Sequence, residues 1–251
     1  MRVTTRAITD CAMAALMLLL MADRHTGNPV HECLGLLLPA LILAHAWLNR
    51  AWFLALGRGA WDAGRLARAA LNVLLMAAMA GVLVSAVPIS RVVFAPLGIA
   101  GSLSLRSLHV CCAHWCLLLA GAHLGLCWGR LMAGVLGRRG VALPRWAAWL
   151  TAPLAIAIAA RGAVAFETRD VAWLLVMDGA FLPFDETATL AGTVLDYAAL
   201  GFLCVLGARV LLSGSRRART LLARAAGGRA KGRERAPSRG HATGGALTSP
   251  R

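Results

Sequence analysis

The sequence predicts an all-α membrane protein, a bundle of six transmembrane helices with both termini in the cytoplasm, and three observations predict it. Of 251 residues 59% are hydrophobic and only 15% charged, and mean hydropathy is +0.69, outside the range of soluble globular domains. Apolar runs that reach the ~20 residues needed to cross a bilayer recur along the chain. The 26 Lys and Arg residues crowd alternate connections. Only Arg24, Arg91, Arg106, Arg161 and Arg169 fall on the side opposite the termini, as the positive-inside bias requires.

Residues 1–22 place Arg2 and Arg6 before CAMAALMLLLMA. That run is short, as in a signal peptide. VTTRAIT extends it toward a full span and no small-x-small cleavage site follows, so it is read as the first helix. The polar loop DRHTGNPV leads to a second span at 31–48, where Pro39 is expected to kink the axis. Arg50, Arg58, Arg65 and Arg68, with Trp47, Trp52 and Trp61, then mark a cytoplasmic interface. The third span, 69–87, is rich in Ala, Met and Gly, small or pliant residues that let helices approach closely. The fourth, 107–128, runs back inward to Arg130, Arg138, Arg139 and Arg145, and so points the same way as the second.

A fifth span at 146–166 leads to FETRDVAWLLVMDGAFLPFDE, an acidic stretch expected to lie outside as an interfacial helix. The sixth, 188–212, returns to a basic tail. The chain thus divides into a transmembrane domain, 1–212, and a disordered cytoplasmic tail, 213–251, rich in Ala, Gly, Ser and Arg. Much of the formal charge of +15 sits in that tail. It is explained by the topology bias and by anionic lipid headgroups, which sets nucleic-acid binding aside.

Two of the spans carry histidine at equal spacing. HECLGLLLPALILAH holds His31 and His45, and HVCCAHWCLLLAGAH holds His109 and His123, each pair fourteen residues apart. On an α-helix that spacing leaves two side chains about 40° apart in azimuth and about 21 Å apart along the axis. Each helix then shows one imidazole near either membrane face, on one stripe. Side by side and co-directional, the helices set His31 against His109 and His45 against His123. Each pair is suited to hold one planar iron porphyrin, giving a four-helix core with two b-type hemes. The seven cysteines all lie in apolar runs as small hydrophobes, and C-x-x-C-H is absent, which excludes covalently attached c-type heme.

Around this frame stand further candidates. Gly35, one turn after His31, and Gly121 and Gly125, flanking His123, leave room for a porphyrin edge or for a neighbouring helix. Arg106, Arg91 and Arg161 are placed to pair heme propionates at the outer face, and Arg50 or Arg130 at the inner face, or serve topology alone. His114 points away from the His109–His123 stripe and is expected to pack or hydrogen-bond. On a helix the Cys112, His114 and Cys116 side chains do not converge as a metal site. Asp196, inside the sixth span, either bonds Tyr197 or an arginine or carries protons for quinol chemistry.

At HECLGLLLPALILAHAWLNRAW, SAVPISRVVF and LHVCCAHWCLLLAGAHLGLCW, and more faintly at RGAVAFETRD, GAFLPFDE and LDYAALG, the chain resembles the flavinylation-associated cytochrome family. Cys33 and Cys127 stand where that family often has an aromatic residue and a further histidine. The resemblance implies a diheme membrane cytochrome of the cell inner membrane. It would pass electrons between the quinone pool and extracytosolic carriers, often flavin-bearing proteins, with ligands falling on His31, His45, His109 and His123. Two other readings remain open: a heme-free membrane anchor or transporter with a histidine seam, and a ferric-reductase-like chain. The last needs a flavin or nicotinamide domain on a separate chain, since no G-x-G-x-x-G or Walker pattern follows a strand here.

Overall fold

The computed structural model describes residues 5–136, 147–179 and 187–234, all helices, turns and connections, with no strand among the described residues. The helices are α1 (Thr5–Leu20), α2 (Asp23–Leu48), α3 (Arg50–Ala55), α4 (Ala63–Ile89), α5 (Leu103–Leu136), α6 (Ala147–Thr168), α7 (Val171–Leu174) and α8 (Leu190–Glu234). The chain divides into two compact units, Met1–Val210 and Leu211–Arg251.

Five helical stretches are long and apolar enough to cross a membrane: Asp23–Leu48, Ala63–Ile89, Leu103–Ala133, Trp149–Thr168 and Leu190–Gly214. The chain is a multi-pass membrane protein. The expected first span is helical over the 16 residues of α1, shorter than those five, and it packs along α2. Large apolar side chains face outward, with Leu43 71%, Val84 68% and Trp149 82% exposed. That pattern is costly in water and favourable in lipid, where the hydrocarbon is as apolar as leucine.

The break in α2 lies at Gly27, whose φ of 75° and ψ of 161° leave the helical region. Only glycine adopts that conformation readily, and Pro29 follows it, a residue that suits the first turn of a new helical segment. The backbone stays helical through Pro39, so the interruption falls before the span.

Between α3 and α4, Asp62 caps α4 by accepting from the Arg65 amide at 2.7 Å. The Arg65 guanidinium donates to the carbonyls of Ala55, Leu56, Arg58 and Ala60 and lies over the Trp61 ring at 4.8 Å. One side chain thereby satisfies the carbonyls left over where α3 ends.

Small residues set the helix contacts. A Cβ at Gly81 of α4 would lie 2.5 Å from Cys112 Sγ of α5. On the opposite side of α5, Gly121 and Gly125 pack on the Gly201 and Val205 carbonyls of α8, each 2.6 Å from where a Cβ would be. Gly162 of α6 meets the Ala199 carbonyl of α8 in the same manner. Such close backbone approach gathers the dispersion contacts that hold helices together in lipid.

Two buried clusters fill the space between helices. Leu16, Leu38, Met79 and Cys116 join α1, α2, α4 and α5. Met21, Leu117, Val171, Tyr197 and Leu200 join α5 and α8 with the segment around α7. That segment docks on α5 through its Leu175 carbonyl, which accepts from Trp115 Nε1 at 3.0 Å and the Cys111 thiol at 3.3 Å. Of the interfacial helix expected after the fifth span only α7 is described as helix, and residues 180–186 lie outside the described residues. The segment expected to be disordered is helical over 213–234 as the continuation of α8, in keeping with the helix propensity of its Ala, Leu and Arg residues. Residues 235–251 lie outside the described residues.

Replacing Gly125 by Val should force α5 and α8 apart and cost about 1–3 kcal/mol. A lowered thermal midpoint in detergent measures it. Gly129→Ala, at a position with nothing within 4 Å of its Cβ site, should leave the midpoint unchanged.

Candidate metal centre

The four histidines come from two helices, α2 and α5. Their equal spacing lets both pairs form at once. His31 meets His109 with ring centroids 6.3 Å apart and planes at 65°, and His45 meets His123 at 6.4 Å and 74°. With a metal–imidazole bond of about 2.0 Å and a centroid about 1.1 Å behind its nitrogen, imidazoles on opposite sides of one ion have centroids about 6.2 Å apart. The centroid separations match that of two imidazoles sharing one ion. Among the described residues no three His, Cys, Asp or Glu side chains converge on a point. Two opposed imidazoles suit a metal that brings its own equatorial ligands, as a porphyrin iron does.

Hydrogen bonds at Nδ1 assign the tautomers. The His45 Nδ1–H donates to Asp10 Oδ1 at 2.7 Å. That of His123 donates to Asn72 Oδ1 at 2.8 Å. That of His109 donates to the Val82 carbonyl at 3.1 Å, with Ser85 Oγ at 3.2 Å. An amide, carboxylate or carbonyl oxygen only accepts, so the proton is on Nδ1 and the Nε2 lone pair is kept for ligation. His123 Nε2 has one weak contact, the Cys127 thiol at 3.7 Å. His31 Nδ1 is buried without a partner, as is Asp23 Oδ1.

Asp10, Asn72 and Ser85 were not singled out from the sequence as ligand partners. A signal was present at Asn72, a lone polar residue in an apolar stretch of α4, and less so at Asp10, which follows Thr9 near the start of α1. Asn72 and Ser85 stand thirteen residues apart, nearly the histidine spacing, on a helix that packs along α5.

Beside His31, the Glu32 carboxylate accepts from Ser90 Oγ at 2.6 Å and from the amides of Arg91, Val92 and Val93 at 2.7, 3.1 and 2.7 Å. This ties the connection after α4 to α2 next to a candidate ligand. Arg106 stands within electrostatic reach of His109, one turn before it on α5. Gly35 has no heavy atom within 4 Å of its Cβ site and borders open space.

For three candidates the contacts match the second of the two readings that the sequence leaves open. Gly121 does not border the histidine pair. It lies about 160° around α5 from His123 and serves contact with α8. Arg161 is engaged at Asp196 Oδ1, at 2.7 Å. Arg130 donates to Cys127 Sγ at 2.8 Å.

Asp196 takes its structural role. Besides Arg161 it accepts from Arg169 Nη2 at 2.7 Å and Nε at 3.1 Å, and Arg169 also lies over the Tyr197 ring at 5.2 Å. The clamp fastens the end of α6 to α8. Thr193 extends it, 3.4 Å from Arg169 Nη2 and 3.1 Å from His25 Nε2. His114, 2% exposed, donates from Nδ1 to the Val110 carbonyl at 2.8 Å. Its Nε2 accepts from the Tyr197 hydroxyl at 3.4 Å. It is a satisfied buried side chain on a different face of α5 from the two pairs.

Asp196→Ala should leave the Arg169 guanidinium without its carboxylate. The expected cost is about 3 kcal/mol, read as a drop in the thermal midpoint in detergent, with a smaller drop for Asp196→Asn. Compared with known families, with curated proteins and with solved structures, the chain matches none.

Proposed function

We propose that this chain is a diheme b-type membrane cytochrome that passes electrons across the bilayer. The observation that carries the reading is the double pairing: His31 with His109 and His45 with His123, each at the separation two axial imidazoles of one iron require. Those four residues would hold the hemes, which would supply one-electron chemistry. The protein's part is to orient and to insulate. Asp10, Asn72 and the Val82 carbonyl fix three imidazoles by their Nδ1 protons.

Between the two pairs stands an apolar layer. Leu38 is seven residues from both His31 and His45, and Cys116 seven from both His109 and His123. They are 5% and 0% exposed and share one cluster with Leu16 and Met79. This layer keeps water from between the centres. A low-dielectric separation limits reorganisation around a moving charge.

The wider assignment belongs to the same proposal. The membrane is the cell inner membrane, both termini are cytoplasmic, and the His31–His109 end faces outward. The exchange runs between the quinone pool and an extracytosolic, flavin-bearing carrier. The charge distribution along the loops and the resemblance to the flavinylation-associated cytochromes support it.

Purified protein should give two b-type hemes per chain in a pyridine hemochrome assay, and His45→Ala and His123→Ala should each retain one. A colourless protein after expression with ample heme overturns the reading and leaves a heme-free anchor or transporter in its place. Asn72→Leu should keep the fold and weaken retention of one heme about 10- to 100-fold, the usual cost of losing an outer-shell partner. Heme loss during dilution into apomyoglobin measures it.

A further inference from the structure

The two histidine pairs are alike in spacing and unlike in what their Nδ1 atoms meet. In the His45–His123 pair, His45 donates to the Asp10 carboxylate at 2.7 Å and His123 to a neutral amide oxygen. In the His31–His109 pair, His109 donates to a neutral carbonyl and His31 Nδ1 has no partner. Other charges stand near both pairs, with the Glu32 carboxylate beside His31 as well. Arg130 and Asp10 lie within electrostatic reach of His123, and Arg106 and Asp23 within reach of His109. What sets Asp10 apart is that it bonds an imidazole directly, whereas Glu32 is taken up by Ser90 and three backbone amides and Asp23 Oδ1 has no partner.

We infer that Asp10 is a tuning residue that makes the His45–His123 centre the more reducing of the two. The inference rests on the diheme reading. A carboxylate accepting the Nδ1 proton pushes electron density toward Nε2 and makes the imidazole a stronger donor. A stronger axial donor favours the oxidised, more positive iron and lowers its reduction potential. No such partner acts on His31. The more oxidising end of the protein is therefore the His31–His109 end, and the gradient is set by a residue of α1, a helix that carries no ligand.

The test is a redox titration of membrane-embedded protein, each centre isolated by removing one ligand of the other. The centre kept in His31→Ala should titrate at a lower potential than the one kept in His45→Ala. In the full protein, Asp10→Asn should raise the potential of the low-potential centre by about 59 mV or more, a tenfold change in its one-electron equilibrium, and leave the other within error. Asp10→Glu, which keeps the carboxylate, should stay near the parent value. Equal potentials, the reverse order, or an Asp10→Asn protein with both hemes and unshifted potentials would overturn the inference. If Asp10→Asn loses a heme, the order found in the two single-ligand variants decides alone. Wild-type protein without heme sinks the diheme reading itself, a result distinct from two hemes in the wrong order.

Discussion

Imidazole nitrogens inside an apolar bundle call for polar partners, and three of the four paired rings find theirs at Nδ1 on neighbouring helices. The ligand helices cannot do it alone. α2 and α5 bring the ring centroids to 6.3 and 6.4 Å of each other. The Nδ1 atoms of His45, His109 and His123 are met from outside, by Asp10 on α1 and by Asn72, Val82 and Ser85 on α4. α1 packs along α2 and α4 along α5, so that α1 holds the His45 ring and α4 the rings of His109 and His123.

The same demand fixes the register of the helices. A slide of one residue along α5 would rotate its histidines by about 100° and carry both pairs apart together. Glu32 guards against this on the α2 side, since its carboxylate binds three consecutive amides and one hydroxyl beyond the end of α4. On the far side of α5 the register is set by backbone contact, with Gly121 and Gly125 against carbonyls of α8. The Asp196 clamp to Arg161 and Arg169 then ties α8 to α6. Apolar side chains that slide freely in lipid are thus locked by a few polar anchors and by glycines that admit one close approach.

The buried layer at Leu38 and Cys116 shows how repetition shapes the middle of the bundle. Seven steps return a helix to within about 20° of its starting azimuth. The residue midway between two of these histidines must therefore face the same gap as they do. Leucine on one helix and cysteine on the other fill it without any polar atom that would call in water.

By itself the sequence determined the class of the protein, the apolar helices and the two histidine stripes, because composition and a fourteen-residue period are local quantities that helix geometry converts directly into faces and depths. It also marked His114 as lying off the stripe and Asp196 as a carboxylate inside a span, bonded to Tyr197 or an arginine or else carrying protons. Only the tertiary structure decided which polar side chain serves which ring. Asp10 is thirty-five residues from His45 and Asn72 fifty-one from His123, and no local pattern links them. It also decided that Gly121 faces α8, since a glycine beside a candidate ligand reads alike whether a macrocycle or a helix lies against it. Spacing along one helix fixes where side chains stand on that helix. What stands across from them depends on how neighbouring helices rotate and slide, and that is settled by packing across the whole bundle.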